Sequence, residues 1–184
     1  MKMAKKLLAM VLASAMALCV LTGCGGGGGG SSAVSTDALV KALNETGAAK
    51  FEVAEDVTVD AAAVQKVQKR VNEYLKYDSR NTITDAVEFT MAETMEDNLR
   101  NEEEGTSTSE LCSIVEKSNT MSASTLAAQV VKNAEELTLT KKVGGGYHLG
   151  AHRITLDAEA TYEMVSVTLN TDKGVCTVVL FYEK

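Results

Sequence analysis

Tyr162-Glu163-Met164-Val165-Ser166-Val167-Thr168-Leu169, then Asn170-Thr171-Asp172-Lys173-Gly174, then Val175-Cys176-Thr177-Val178-Val179-Leu180-Phe181-Tyr182, brings the chain almost to its end. Two β-rich runs flank a cluster of turn residues, the pattern of an antiparallel hairpin. The second run is apolar at nearly every position, so it belongs in the middle of a sheet with both faces covered. In the first run Val165, Val167 and Leu169 alternate with Met164, Ser166 and Thr168, which gives that strand one wetter face. Arg153 to Ala158 reads as a further strand, and 137–143 alternates weakly before Gly144-Gly145-Gly146 breaks the chain.

Upstream of this the period changes from two to between three and four. Val64, Val67, Val71, Tyr74 and Leu75 recur at helical steps, with Gln65, Lys66, Gln68, Lys69 and Arg70 between them, and Asp60 stands at the cap position. The spacing predicts a surface helix from Ala61 to about Tyr77. Ile83, Val87, Met91, Met95 and Leu99, widened by Ala86, Phe89 and Ala92, predict another from about Thr84 to Arg100. Its Glu88, Glu93, Glu96 and Asp97 lack a calcium-hand spacing and a His partner, so they read as a solvated face. A shorter helix carries Leu39, Val40 and Leu43, is capped by Thr36 or Asp37 and ends near Gly47. Phe51, Val53, Val57 and Val59 follow as an extended or irregular connection. Residues 101–109 form a charged and polar loop, and 110–119 suit a short helix or a strand equally. Ser122 or Ser124 caps a last helix, about Thr125 to Leu137, with Leu126, Val130, Ala134 and Leu137 in register. Helices in the N-terminal two thirds, packed on a small antiparallel sheet that ends in a C-terminal β-hairpin, make the fold class α+β.

The N-terminus carries a different message. Met1 to Lys6 is basic, Leu7 to Val20 is an apolar and small run too short for a comfortable membrane span, and Leu21-Thr22-Gly23-Cys24 closes it. This segment resembles the lipobox signal of bacterial lipoproteins. The resemblance implies cleavage before Cys24, a diacylglycerol thioether on that residue, and a protein held at the extracytoplasmic face of a membrane. Two acyl chains suffice for stable anchoring where one does not. Gly25 to Gly30 with Ser31 and Ser32 form a flexible tether reaching about 15 Å on average. The expected organisation is thus a signal peptide over 1–23, lipidated Cys24 and tether over 24–32, and one α+β domain over 33–184.

Removing 1–23 takes away three of the 18 basic residues and none of the 25 acidic ones, leaving 15 against 25, or −10. That balance argues against nucleic acid as a partner and against direct adhesion to anionic lipid. Of four cysteines, Cys19 lies in the signal and Cys24 carries lipid. Cys112 and Cys176 remain, open to one disulfide or to two buried thiols. No phosphate loop, nucleophile elbow or paired catalytic constellation is visible. No cofactor is implied, and the reading leans away from an enzyme. Trp is absent, which argues mildly against a carbohydrate-stacking surface. The expected partners are the lipid bilayer, through acylated Cys24, and a peptide, cell-wall component or envelope protein.

The two histidines lie four residues apart, at His148 and His152, beside a glycine-rich segment. They are the candidate ligand or metal residues, although no nearby acidic third ligand presents itself. Ala151-His152-Arg153, followed by Tyr162-Glu163-Met164-Val165, resembles the Gly-His-Arg element and next strand of the CAP (SCP-like) domain. The helices at 39–43, 61–75 and 125–137 and the final strand follow that family's layout. The resemblance implies a divergent CAP-like or hydrolytic domain using the His148/His152 region as the alternative to a binding domain. The family's Gly-Glu-Asn cavity motif, its second His and its Gly-x-Gly strand have no counterpart here, so such a domain would lack the cavity that holds a metal.

Overall fold

The computed structural model describes residues 34–55, 57 and 60–184; the signal, the lipobox, Cys19, Cys24 and the tether lie outside the described residues. Within them the order is α1 (Thr36–Thr46), β1 (Lys50–Val53), α2 (Ala61–Tyr77), α3 (Ile83–Leu99) and β2 (Ser107–Glu116). A 3-10 turn (Ser118–Thr120) leads to α4 (Ala123–Lys132), β3 (Ala134–Lys141), β4 (Tyr147–Arg153), β5 (Thr161–Thr171) and β6 (Gly174–Glu183). The fold is α+β. Its sheet has six strands in the order β1-β5-β6-β2-β3-β4. Every neighbouring pair is antiparallel except β1 with β5, where Lys50 to Val53 run parallel to Thr161 to Met164.

Helices cover both faces of this sheet. On one, α2 and α3 pack over Cys112, Ile114, Leu137, Leu139, Val165, Val167, Leu169, Cys176, Val178 and Leu180. On the other, α1 and α4 pack over Phe51, Val115, Tyr162, Met164, Val179 and Phe181. The alternation follows from the two-residue period of strands, and β6 is apolar on both sides because it is covered on both. Each fully buried Leu, Val or Phe adds about 1.5–3 kcal/mol relative to exposure. The wetter face expected for β5 is buried too: Ser166 is 4 % exposed, and its Oγ lies 3.2 Å from Thr36 Oγ1 of α1.

Local chemistry sets the element ends. Ser35, not Thr36 or Asp37, caps α1 by accepting from the Ala38 amide, and Gly47 ends it at φ 69°, a left-handed conformation that costs a glycine least. Asp60 caps α2 as the sequence indicates. Thr82 and Asp85 form a reciprocal capping box on α3, and Ser122 caps α4. The β5–β6 turn is stitched to α2 and its following loop. The Asp172 amide donates to Asn72 Oδ1 at 2.9 Å, the Asn170 amide to Gln68 Oε1 at 3.0 Å, and Lys173 Nζ to the Ser79 and Asn81 carbonyls.

Three expectations change. Residues 107–116 are a strand, which settles the helix-or-strand ambiguity at 110–119. The last helix stops at Lys132, with Asn133 as its C-cap, so Ala134 and Leu137 belong to β3. The strand expected over 153–158 instead lies earlier, over Tyr147–Arg153, and a turn occupies the following residues.

Candidate functional site

His148 and His152 lie on one face of β4, an edge strand, and both are exposed. Across β3 they oppose Thr140 and Glu136. Among the described residues no group of three or more His, Cys, Asp and Glu side chains could hold a metal ion. The structure therefore leaves the histidine pair as two surface side chains on an edge strand beside Gly150.

Cys112 and Cys176 are both buried free thiols, so the disulfide alternative is corrected. Cys112 opposes Leu180 and Cys176 opposes Glu116, which offsets the two by four register positions along adjacent strands. That is about 13 Å, against a Cα separation of at most about 7 Å in a bridge. Burial pushes the Cys176 thiol up to about 12, with Glu116 adding to the effect. Burial raises Cys112 well above its ordinary range, helped by the negative charges of Glu135, Glu88 and Glu110. Neither is a thiolate near neutral pH, as a nucleophile would need to be.

A groove opens between α2 and α3. Arg70, Glu73, Tyr74 and Tyr77 fall at i, i+3, i+4 and i+7 along one side of α2, and Phe89 and Glu93 answer from α3, enclosing about 380 Å³. The Tyr74 and Phe89 rings stack with centroids 4.7 Å apart and planes inclined by 28°. Arg70 and Glu93 approach to 3.7 Å across the rim. Tyr77 is 91 % exposed and Phe89 45 %. The sequence pattern assigned Phe89 to the core stripe of its helix; instead it forms a wall of the groove. Three of the chain's eight Phe and Tyr residues thus meet at one surface site.

Beneath α3, on the side toward β3, lies a group of acids. Glu135 stands between Cys112 on β2 and Arg153 on β4 in cross-strand register, and Cys112 Sγ donates to its Oε1 at 4.0 Å. Glu88 of α3 lies near enough to Glu135 for the two charges to act on each other. Burial, then the charges of Glu135 and Asp85, push the Glu88 carboxyl up to about 7. Burial also raises Glu135, while the charge of Arg153 opposes that rise. Glu110 is buried at 5 % exposure one position beyond the Leu111–Phe181 pair, beside Tyr182, whose buried hydroxyl has no hydrogen-bond partner among the described residues. Reading Glu88 as part of a solvated face is thus corrected, because the sequence does not reveal that β3 brings Glu135 beneath it.

Comparison with family models, curated proteins and solved structures gives no match. Among the described residues no helix is long and apolar enough to cross a membrane.

Proposed function

We propose that this chain is a surface lipoprotein, held at the extracytoplasmic face of a membrane by acylated Cys24, whose body is a non-enzymatic module that binds an apolar peptide segment of an envelope protein in the α2–α3 groove. The observation that carries the binding half is the exposure of Tyr77 at 91 % beside Phe89 at 45 % and the Tyr74–Phe89 stack. Aromatic area left in water at one concave place marks an interaction surface, and Tyr brings large contact area with little rotamer freedom to lose. A peptide fits better than a wall glycan, since the chain has no Trp to serve as a stacking platform.

The anchor supports the same reading. The tether joins the body just before α1, which packs on the sheet face opposite the groove. α2 and α3 thus form the layer on the other side of the sheet from α1, the described helix nearest Cys24 in sequence. Selection from a displayed peptide library against the full chain tests the binding half. Enriched peptides should share an apolar anchor and lose at least tenfold in affinity against the Tyr77→Ala/Phe89→Ala double variant. Equal binding to both proteins, or no enrichment at all, would remove the groove from the account.

A further inference from the structure

We propose that β4 is a docking edge for a second copy of this chain, which pairs antiparallel with it about Gly150 and joins the two six-stranded sheets into one. The sheet ends at β1 on one side and at β4 on the other. An unpaired edge is a template for another strand, and proteins blunt it by shortening it, bulging it or setting charges and Pro along it. β1 is blunted, with four residues that include Lys50 and Glu52. β4 is not. Its seven residues pair one to one with β3, and Tyr147 to Arg153 contains no Lys, Pro, Asp or Glu. Its one charge, Arg153, stands at the end and turns back to the Lys132 carbonyl and Asn133 Oδ1. Among the described residues no strand lies beyond β4.

The ladder on the inner side of β4 fixes what the outer side offers. The Ile154 amide donates to the Ala134 carbonyl, and the Lys142 amide to the Gly146 carbonyl. Both bonds continue the β3–β4 register, so His148, Gly150 and His152 turn their backbone groups toward β3. Tyr147, Leu149, Ala151 and Arg153 turn theirs outward. A second β4 centred on Gly150 uses all four: Leu149 bonds with Ala151 of the second copy, and Tyr147 with its Arg153. The close pairs between them set Gly150 against Gly150 and His148 against His152, with no side chain on the axis itself.

Charge favours a second copy in this register. Residues 141–153 carry Lys141, Lys142 and Arg153 and no acid, in a chain with 25 acidic residues against 18 basic ones, so no carboxylates face each other along the edge. At each end of the pairing, the β3–β4 turn of one copy meets the segment that follows β4 in the other. That sets exposed Lys142 opposite exposed Asp157 and Glu159, once at each end by the two-fold symmetry. Val143, 86 % exposed in the same turn, gains apolar cover there.

Gly150→Cys in the full chain tests the register, independently of the groove and the anchor. A Cβ at Gly150 has His152 Nε2 as its nearest neighbour, at 3.4 Å, and that exposed ring can swing aside. The two new thiols face each other across the axis at a Cα separation of about 4.5 Å, within reach of a disulfide. Under mild oxidation Gly150→Cys should run as a linked dimer on a non-reducing gel. His148→Cys should not, because the two copies of residue 148 lie four register positions apart, about 13 Å along the strands. Wild type, which shares every native cysteine, sets the background. In sedimentation of the detergent-extracted full chain, wild type should dissociate on dilution. Ala151→Pro removes an outward amide from each copy and leaves the β3 ladder intact, so it should weaken the dimer at least about tenfold. Linkage at 148 as readily as at 150, no linkage at 150, or a wild type that is monomeric at every concentration would overturn the pairing. So would an Ala151→Pro dimer as tight as wild type.

Discussion

Tyr74 of α2 and Phe89 of α3 stack at 4.7 Å while Tyr77, one turn further along α2, stands 91 % in water. The stack fastens one helix to the other at the surface, and Tyr77 contributes almost nothing to that fastening. The two tyrosines should therefore separate stability from binding. Tyr74→Ala should destabilise by about 2 kcal/mol, through lost burial and a ring pair worth about 0.5–1.5 kcal/mol beyond it. Tyr77→Ala should stay within about 0.5 kcal/mol of wild type. Urea unfolding measures both, and a Tyr77→Ala loss as large as that of Tyr74→Ala would mean that Tyr77 is a packing residue.

The four-position offset of Cys112 and Cys176 makes a sharp chemical prediction. In the native protein neither thiol should react with an aromatic disulfide reagent near neutral pH, because both are buried and their pKa values are raised. After denaturation both should react. Reductant should leave Tm unchanged, since there is no bridge to remove. A Tm that falls on reduction would contradict the register of β2 and β6.

How far the residues alone led depends on how many faces each element buries. α2, Ala61 to Tyr77, was legible because one stripe is apolar and Asp60 marks its start. The β5–β6 hairpin was legible because Asn170 to Gly174 interrupts two β-rich runs. β2 was not, since Ser107 to Glu116 is covered by helices on both faces and shows no alternation to count. β3 was hidden differently. Leu126, Val130, Ala134 and Leu137 continue a helical spacing across the true boundary, and Asn133 ends the helix without the glycine that would have announced it. The groove was half legible: Tyr74 and Phe89 were visible as ring residues on helices, but the packing that turns them toward each other was not. Glu88 and Glu135 lie 47 residues apart in the chain, and only the seating of α3 over β3 unites them.

The exposed places of His148 and His152 on the edge strand give the rival enzymatic reading its test. His148→Ala and His152→Ala should each change stability by less than about 0.5 kcal/mol. Added zinc should not raise the Tm of wild type. A zinc-dependent rise that disappears in His152→Ala would favour the divergent CAP-like or hydrolytic domain over the binding module.

The central claim is that the protein works from a lipid anchor on Cys24. The intact mass of the protein extracted from membranes of cells producing the full chain tests it most directly. The account predicts a chain beginning at Cys24 and carrying a diacylglycerol thioether, with both features lost in Cys24→Ala. A membrane-free protein that begins at another residue, or one that retains residues 1–23 with no lipid, would contradict it.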